Sequence, residues 1–105
     1  MTKEPMDDAH VLIPDELAKT IPKLYETQSE SDPLAVVKLF TPDASWTWFV
    51  NEFDPKERLC FGLVIGFERE YGYVSLAELE EVRGPYGLKI ERDLHFKPKP
   101  LSECM

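Results

Sequence analysis

The chain has little cysteine, little glycine and no excess of positive charge, and each shortage narrows what it can be. Two cysteines, Cys60 and Cys104, are too few for a zinc cluster or a disulfide-rich scaffold. Five glycines, at 62, 66, 72, 84 and 87, form neither a P-loop nor a G-x-G-x-x-G phosphate cradle, and their spacing suits turns and strand packing. With 12 basic and 20 acidic side chains the net charge is −8, which argues against a nucleic-acid backbone or an anionic membrane as the main partner. The longest uncharged run, 59–67, is well short of the ~18–20 residues a membrane-crossing helix needs. No signal-like stretch opens the polar N-terminus, so a cytoplasmic location is expected. A G-x-S-x-G elbow is absent, and Cys60 has no local base, so nucleophilic catalysis finds no support.

What is present is a composition for one folded domain. The 105 residues are 43% hydrophobic and 30% charged. Nine prolines punctuate the chain and confine regular elements to the intervals between them. Residues 1–10 read as a flexible start, 11–96 as a single α+β domain and 97–105 as an extended tail. Ile13-Pro14-Asp15-Glu16 is a helix start, and Leu17, Ile21, Leu24 and Tyr25 would share a helical face. Pro22 interrupts that face, so two short helical pieces are expected there.

Three strands should follow: Leu34–Thr41, Trp46–Asn51 and Leu59–Phe67. In the second, Trp46, Trp48 and Val50 fall on one face and Thr47 and Asn51 on the other. In the third, Leu59, Phe61, Leu63, Ile65 and Phe67 share a face thinned on its other side by Gly62 and Gly66. A shorter fourth strand, Tyr71–Val74, should pair back through Glu68-Arg69-Glu70. Ser75 and Glu78 then form a capping box, with Leu76, Leu79 and Val82 as the helix's apolar stripe. Ile90–Phe96 is a short extended segment or irregular arm. The expected fold is α+β: an antiparallel sheet of three to four strands with short helices packed on one face.

The segments Thr41-Pro42-Asp43-Ala44-Ser45-Trp46-Thr47-Trp48, Gly72-Tyr73-Val74-Ser75-Leu76-Ala77-Glu78-Leu79, Arg83-Gly84-Pro85-Tyr86-Gly87-Leu88 and Ile90–Phe96 stand together. In combination the chain resembles a family of small bacterial proteins classified as a domain of unknown function. The resemblance spans about residues 11–102. It implies a setting on plasmids, integrative elements and phage-like regions, and it carries over no catalytic residue.

Two groups of residues are candidates for function. Residues 1–33 hold eight acids and three bases, so Asp7, Asp8, Asp15 and Glu16 form either a solubilising face or a recognition surface for a basic protein. Trp46 and Trp48 would join that surface if exposed, since tryptophan is enriched at binding hot spots. Read as a base-stacking platform, the aromatics lack the basic groove such platforms need, and core packing is the better account.

The second group is Glu91, Asp93 and His95, which an extended segment would turn to one side. Two carboxylates and an imidazole could hold a divalent metal or perform acid–base chemistry, though one short motif supplies few ligands. Glu52 or Asp54 could add to them in space; His10 reads as solvated. The preferred expectation is a non-enzymatic, cofactor-free interaction protein of a mobile element, monomer or homodimer, binding a basic nucleic-acid-binding protein or nuclease. A counter-defence inhibitor of anti-restriction or anti-CRISPR kind is its concrete form. The alternatives are a small metal-dependent enzyme and an accessory module on a methylase or helicase.

Overall fold

The structure is a computed structural model and describes residues 8–104. A single-turn helix α1 (Asp15–Ala18) precedes strands β1 (Leu34–Ala35), β2 (Val37–Phe40), β3 (Thr47–Asp54), β4 (Leu59–Ile65) and β5 (Arg69–Ser75). Helix α2 (Leu76–Glu81), two-residue strands β6 (Glu91–Arg92) and β7 (Lys99–Pro100) and a 3₁₀ turn (Leu101–Glu103) complete the chain. The main sheet has five strands in the order β5-β4-β3-β2-β6, and β1 and β7 make a second sheet of two. All pairs are antiparallel. The fold is therefore mixed α+β, as expected, but with a larger sheet than the three to four strands expected from the sequence.

The difference arises from pairings with remote segments on either side of β2. The Leu34–Thr41 strand breaks at Val36, whose N–H bonds to Val50 O at 2.8 Å, so Leu34 and Ala35 pair with the distant Pro100 and Lys99 instead. The Ile90–Phe96 segment supplies the fifth strand, placing Glu91 and Arg92 opposite Phe40 and Leu39. Such pairings between remote segments leave no signature in either segment alone.

The two sheet faces bury different sets. Leu39, Trp48, Val50 and Cys60 face a core closed by Leu12, Ile13, Ile21, Leu76, Leu79 and Ile90. Both helices and the N-terminal segment lie on this face, with Leu17 and Ala18 of α1 packed against it. In β4 alternation holds: Leu63 and Ile65, expected on one face, join a smaller second core with Ala35, Phe49 and Leu101, while Cys60 and Val64 on the other face join the main one. Phe67, expected in that row, is 95% exposed because the strand ends at Ile65.

The helical face expected over 17–25 stops at Ile21. Pro22 turns the chain, Tyr25 adopts φ 72° and stands 60% exposed, and no second helical piece forms. At α2 Ser75 Oγ accepts the Glu78 N–H at 3.3 Å, one half of the expected capping box. The helix ends at Glu81, so Val82 of the expected apolar stripe lies beyond it and is exposed. Of residues 97–104, Lys99 and Pro100 pair with β1, and Leu101 and Cys104 pack on the second core. Leu101 is buried, which is worth ~1.5–3 kcal/mol for such a side chain. Ser102 donates its N–H and hydroxyl to Asp32 at 3.0 and 2.6 Å, and these bonds hold the Asp32 carboxyl below its ordinary pKa of 3.8. Cys60 and Cys104 are both free thiols. Among the described residues, no helix is long and apolar enough to cross a membrane.

Candidate functional site

The register of β2 and β6 brings one group of candidates to a cleft. Glu91 and Arg92 sit beside β2, and the Thr41–Trp46 turn closes the adjacent end, where Trp46 N–H bonds to Thr41 Oγ1 at 3.0 Å. The result is a cavity of about 500 Å³ lined by Lys38, Trp46, Glu91, Arg92, Asp93 and His95, among others. Glu91, Asp93 and His95 thus reach one cleft, together with Trp46.

They do not converge within it. Extended backbone ends at Arg92, because Asp93 Oδ1 accepts the His95 N–H at 2.9 Å and starts a turn. The other Asp93 oxygen lies 3.7 Å from Lys38 Nζ, and Glu91 Oε2 lies 3.7 Å from His10 Nε2. Among the described residues, no group of three or more His, Cys, Asp or Glu side chains is placed to hold a metal ion. Glu52 and Asp54 lie outside this cleft. Glu52 is buried and accepts the N–H groups of Tyr25 and Thr27 at 2.9 Å each and the Thr27 hydroxyl. Asp54 instead accepts the Lys56 N–H at 3.0 Å in the β3–β4 turn.

The tryptophans divide. Trp48 is 8% exposed and belongs to the main core, so it is not available to a surface. Trp46 is half-buried and forms a wall of the cleft. It stacks on Trp48 (centroids 6.1 Å, 26°) and meets the exposed Phe67 edge-on at 5.5 Å. Gly66 permits this, since a Cβ there would fall inside the Trp46 indole.

The acidic group is also spread out. Asp7 lies outside the described residues. Asp8 is exposed and sits 4.0 Å from His10, the residue that faces Glu91, so it stands at the cleft's rim. The Asp8 carbonyl takes a bond from the Arg92 guanidinium at 3.4 Å, and the Arg92 N–H bonds to Ala9 O at 2.8 Å. Asp15 and Glu16 are exposed on α1, with Glu16 paired to Lys19 at 3.2 Å. A smaller cavity of about 230 Å³, lined by Leu17 of α1, shares Arg92, Asp93 and Leu94 with the main cleft.

The sequence profile described as "Protein of unknown function (DUF2958)" matches residues 12–105. The chain belongs to this family. No curated protein and no solved structure matches the chain. The DUF2958 match takes in every cleft residue except Ala9, while Asp7, Asp8 and His10 precede it.

Sequence reading overlooked Lys38 and Arg92 as cleft residues, and no local signal marks either. It also passed over Thr27, whose hydroxyl accepts from Asn51 Nδ2 at 3.1 Å and donates to Glu52. Tyr73 is a further member of that end of the sheet, its phenol raised above the ordinary 10.0 by a hydrogen bond with Tyr25.

Proposed function

We propose that this DUF2958 protein is a non-enzymatic interaction protein of a mobile genetic element that captures a basic protein partner at the Trp46–Glu91–Asp93 cleft. The observation that carries this reading is the meeting of an aromatic wall and two carboxylates in one cavity, with Asp8 at its rim. Lys38 and Arg92 line the same cavity, so a partner's arginine or lysine entering the cleft competes with Lys38 for Asp93 and meets Glu91 and the Trp46 ring. An indole face attracts a cation by about 0.5–2 kcal/mol, the more so as water is excluded. The net charge of −8 steers a positively charged partner toward this surface and raises the encounter rate. A nuclease or other nucleic-acid-binding protein offers such a groove, and occupying it would block the partner's substrate. In that form the protein acts as a counter-defence inhibitor in the bacterial cytoplasm; the resemblance to proteins of mobile elements supplies the setting.

Affinity purification from bacterial cytosol at low and high salt, with mass spectrometry of the retained proteins, tests this. The expected result is a basic nuclease or DNA-processing partner held at low salt, released at high salt and lost with the double variant Asp8→Lys/Glu91→Lys. Retention of the same partner by the double variant at both salts would overturn the cleft's role. Retention of a methylase or helicase with no effect on host defence would assign an accessory role instead. Micromolar divalent-metal binding in calorimetry, abolished by Asp93→Asn, would replace the proposal with the metal-dependent reading.

A further inference from the structure

The two edges of the main sheet are unequal. The β6 edge is two residues long and is covered where Arg92 N–H bonds to Ala9 O. The β5 edge runs for seven residues, Arg69–Ser75, without proline and with continuous register against β4. Long, flat, unprotected edges are ones that proteins ordinarily blunt, because their free N–H and C=O groups template pairing with another strand.

The register shows which groups are free. Gly66 N–H bonds to Glu68 O at 3.1 Å at the hairpin tip, and Leu76 N–H bonds to Arg58 O at 2.9 Å beyond its far end. Both continue the register that sets Ile65 opposite Arg69 and Leu59 opposite Ser75. Hydrogen-bonded and non-hydrogen-bonded pairs alternate along an antiparallel ladder. Glu70, Gly72 and Val74 therefore exchange backbone bonds with β4, and Arg69, Tyr71 and Tyr73 turn theirs outward. Among the described residues, none of these three makes a backbone bond beyond β4.

Gly72 sits at the midpoint of this strand with no reason for being glycine inside one chain. A Cβ there would meet nothing within 4 Å. Glycine within a strand commonly marks close approach of another backbone. The sequence around it, Tyr71-Gly72-Tyr73, reads alike from either direction.

We infer that β5 is the interface of a homodimer, in which two copies pair their β5 strands antiparallel about a two-fold axis at Gly72. In that register Tyr71 of one copy exchanges backbone bonds with Tyr73 of the other, and every outward tyrosine group finds a partner. Arg69 faces Ser75 and Glu70 faces Val74, so no like charges stand opposite. The register shifted by one pair toward the hairpin would set Glu70 against Glu70, and like charges directly opposite are destabilising. Tyr71 and Tyr73, 54% and 50% exposed, become cross-strand aromatic pairs on the face that carries Phe61. The two sheets join into one continuous sheet, and the interface is isologous and closed. It leaves the Trp46 cleft free, so it stands whether or not that cleft binds a basic partner.

Cross-linking tests the geometry directly. At a non-hydrogen-bonded antiparallel pair the Cα atoms lie about 4.5 Å apart, within the range a disulfide spans. In a Cys104→Ser background, Gly72→Cys treated with diamide at about 10 µM is expected to form a covalent dimer. Glu70→Cys in the same background, whose copies lie two residues off the axis on each strand, is expected to form none. Sedimentation equilibrium provides a second reading. Gly72→Glu and Gly72→Lys each raise the dimer dissociation constant at least ~100-fold by placing like charges on the axis, and an equimolar mixture of the two restores the dimer. Added salt should tighten the wild-type dimer by screening the repulsion of two acidic chains, the reverse of its effect on a basic partner. A wild-type protein monomeric at ~100 µM, or equal cross-linking of the Gly72→Cys and Glu70→Cys variants, overturns the inference. If the charged variants fail to fold, the cysteine pair alone decides.

Discussion

Replacing Glu52 by glutamine should cost far more than its isosteric shape suggests. The carboxylate is 3% exposed and accepts donors on both oxygens: Tyr25 N–H on Oε1, and the N–H and hydroxyl of Thr27 on Oε2. Together they tie residues 25–27, which lie outside the sheet, to the β3 bulge between Val50 and Glu52. A glutamine keeps one acceptor oxygen. Its amide nitrogen, placed where the other oxygen was, meets an N–H donor head-on and leaves that donor buried without a partner. Hydrogen bonds to a charged acceptor are worth about 1.5–3 kcal/mol each, and a stranded buried donor costs about 1–3 kcal/mol. Losing one such bond outright and weakening two predicts a destabilisation of about 2–4 kcal/mol. That is a large share of the ~5–15 kcal/mol typical of a domain this size. Urea unfolding followed by far-ultraviolet circular dichroism measures it, and at about 5 °C per kcal/mol the melting temperature should fall by about 10–20 °C. The double variant Thr27→Val/Glu52→Gln should be less destabilised than the sum of the two singles, since each alone leaves the other side unpaired. A loss below about 0.5 kcal/mol for Glu52→Gln would refute the claim that this carboxylate anchors the loop.

Two further outcomes follow from the packing. Gly66→Ala should displace the Trp46 ring, lower stability by about 1–3 kcal/mol and shift the tryptophan emission, whereas Gly72→Ala should not lower the stability of the single chain; equal losses at the two sites would contradict the contact with Trp46. Burial pushes the Cys60 thiol up to about 12 from an ordinary 9.0. Its contribution to stability is then complete below pH ~9 and is lost as pH rises through the folded-state value. At pH 8 a thiol reagent should label Cys104 while Cys60 reacts only on unfolding, and comparable rates at the two sites would show that Cys60 is accessible.

Alternation and capping signals act within a few residues, and those parts of the fold were legible in the sequence. Trp48 and Val50 share a face as their spacing requires, and Ser75 caps α2. The strand expected over Tyr71–Val74 pairs back on β4, although it begins at Arg69 and its turn falls earlier than the expected Glu68-Arg69-Glu70. The family resemblance was legible too, carried by segments that the DUF2958 match contains. The boundaries that failed did so where one backbone choice depends on a remote partner. Leu34–Thr41 reads as one strand, yet Val36 bonds to Val50 while Leu34 pairs with Pro100, which breaks it in two. Leu59–Phe67 offers two apolar faces, and only the packing of Leu76 and Leu79 on one side and Leu101 on the other decides which core each takes.

The candidate site divides in the same way. Sequence by itself supplied the acidic balance, the chemistry of Glu91, Asp93 and His95, and the two tryptophans as possible surface groups. Tertiary structure buried Trp48, left Trp46 as a cleft wall, and ended the extended segment at Arg92, so that Asp93 starts a turn and faces Lys38. Residue types and local periodicity are properties of the chain in order. Which carboxylate meets which cation, and which strand edge stays open, are set by contacts between segments tens of residues apart, because burial and pairing are satisfied collectively and not one segment at a time.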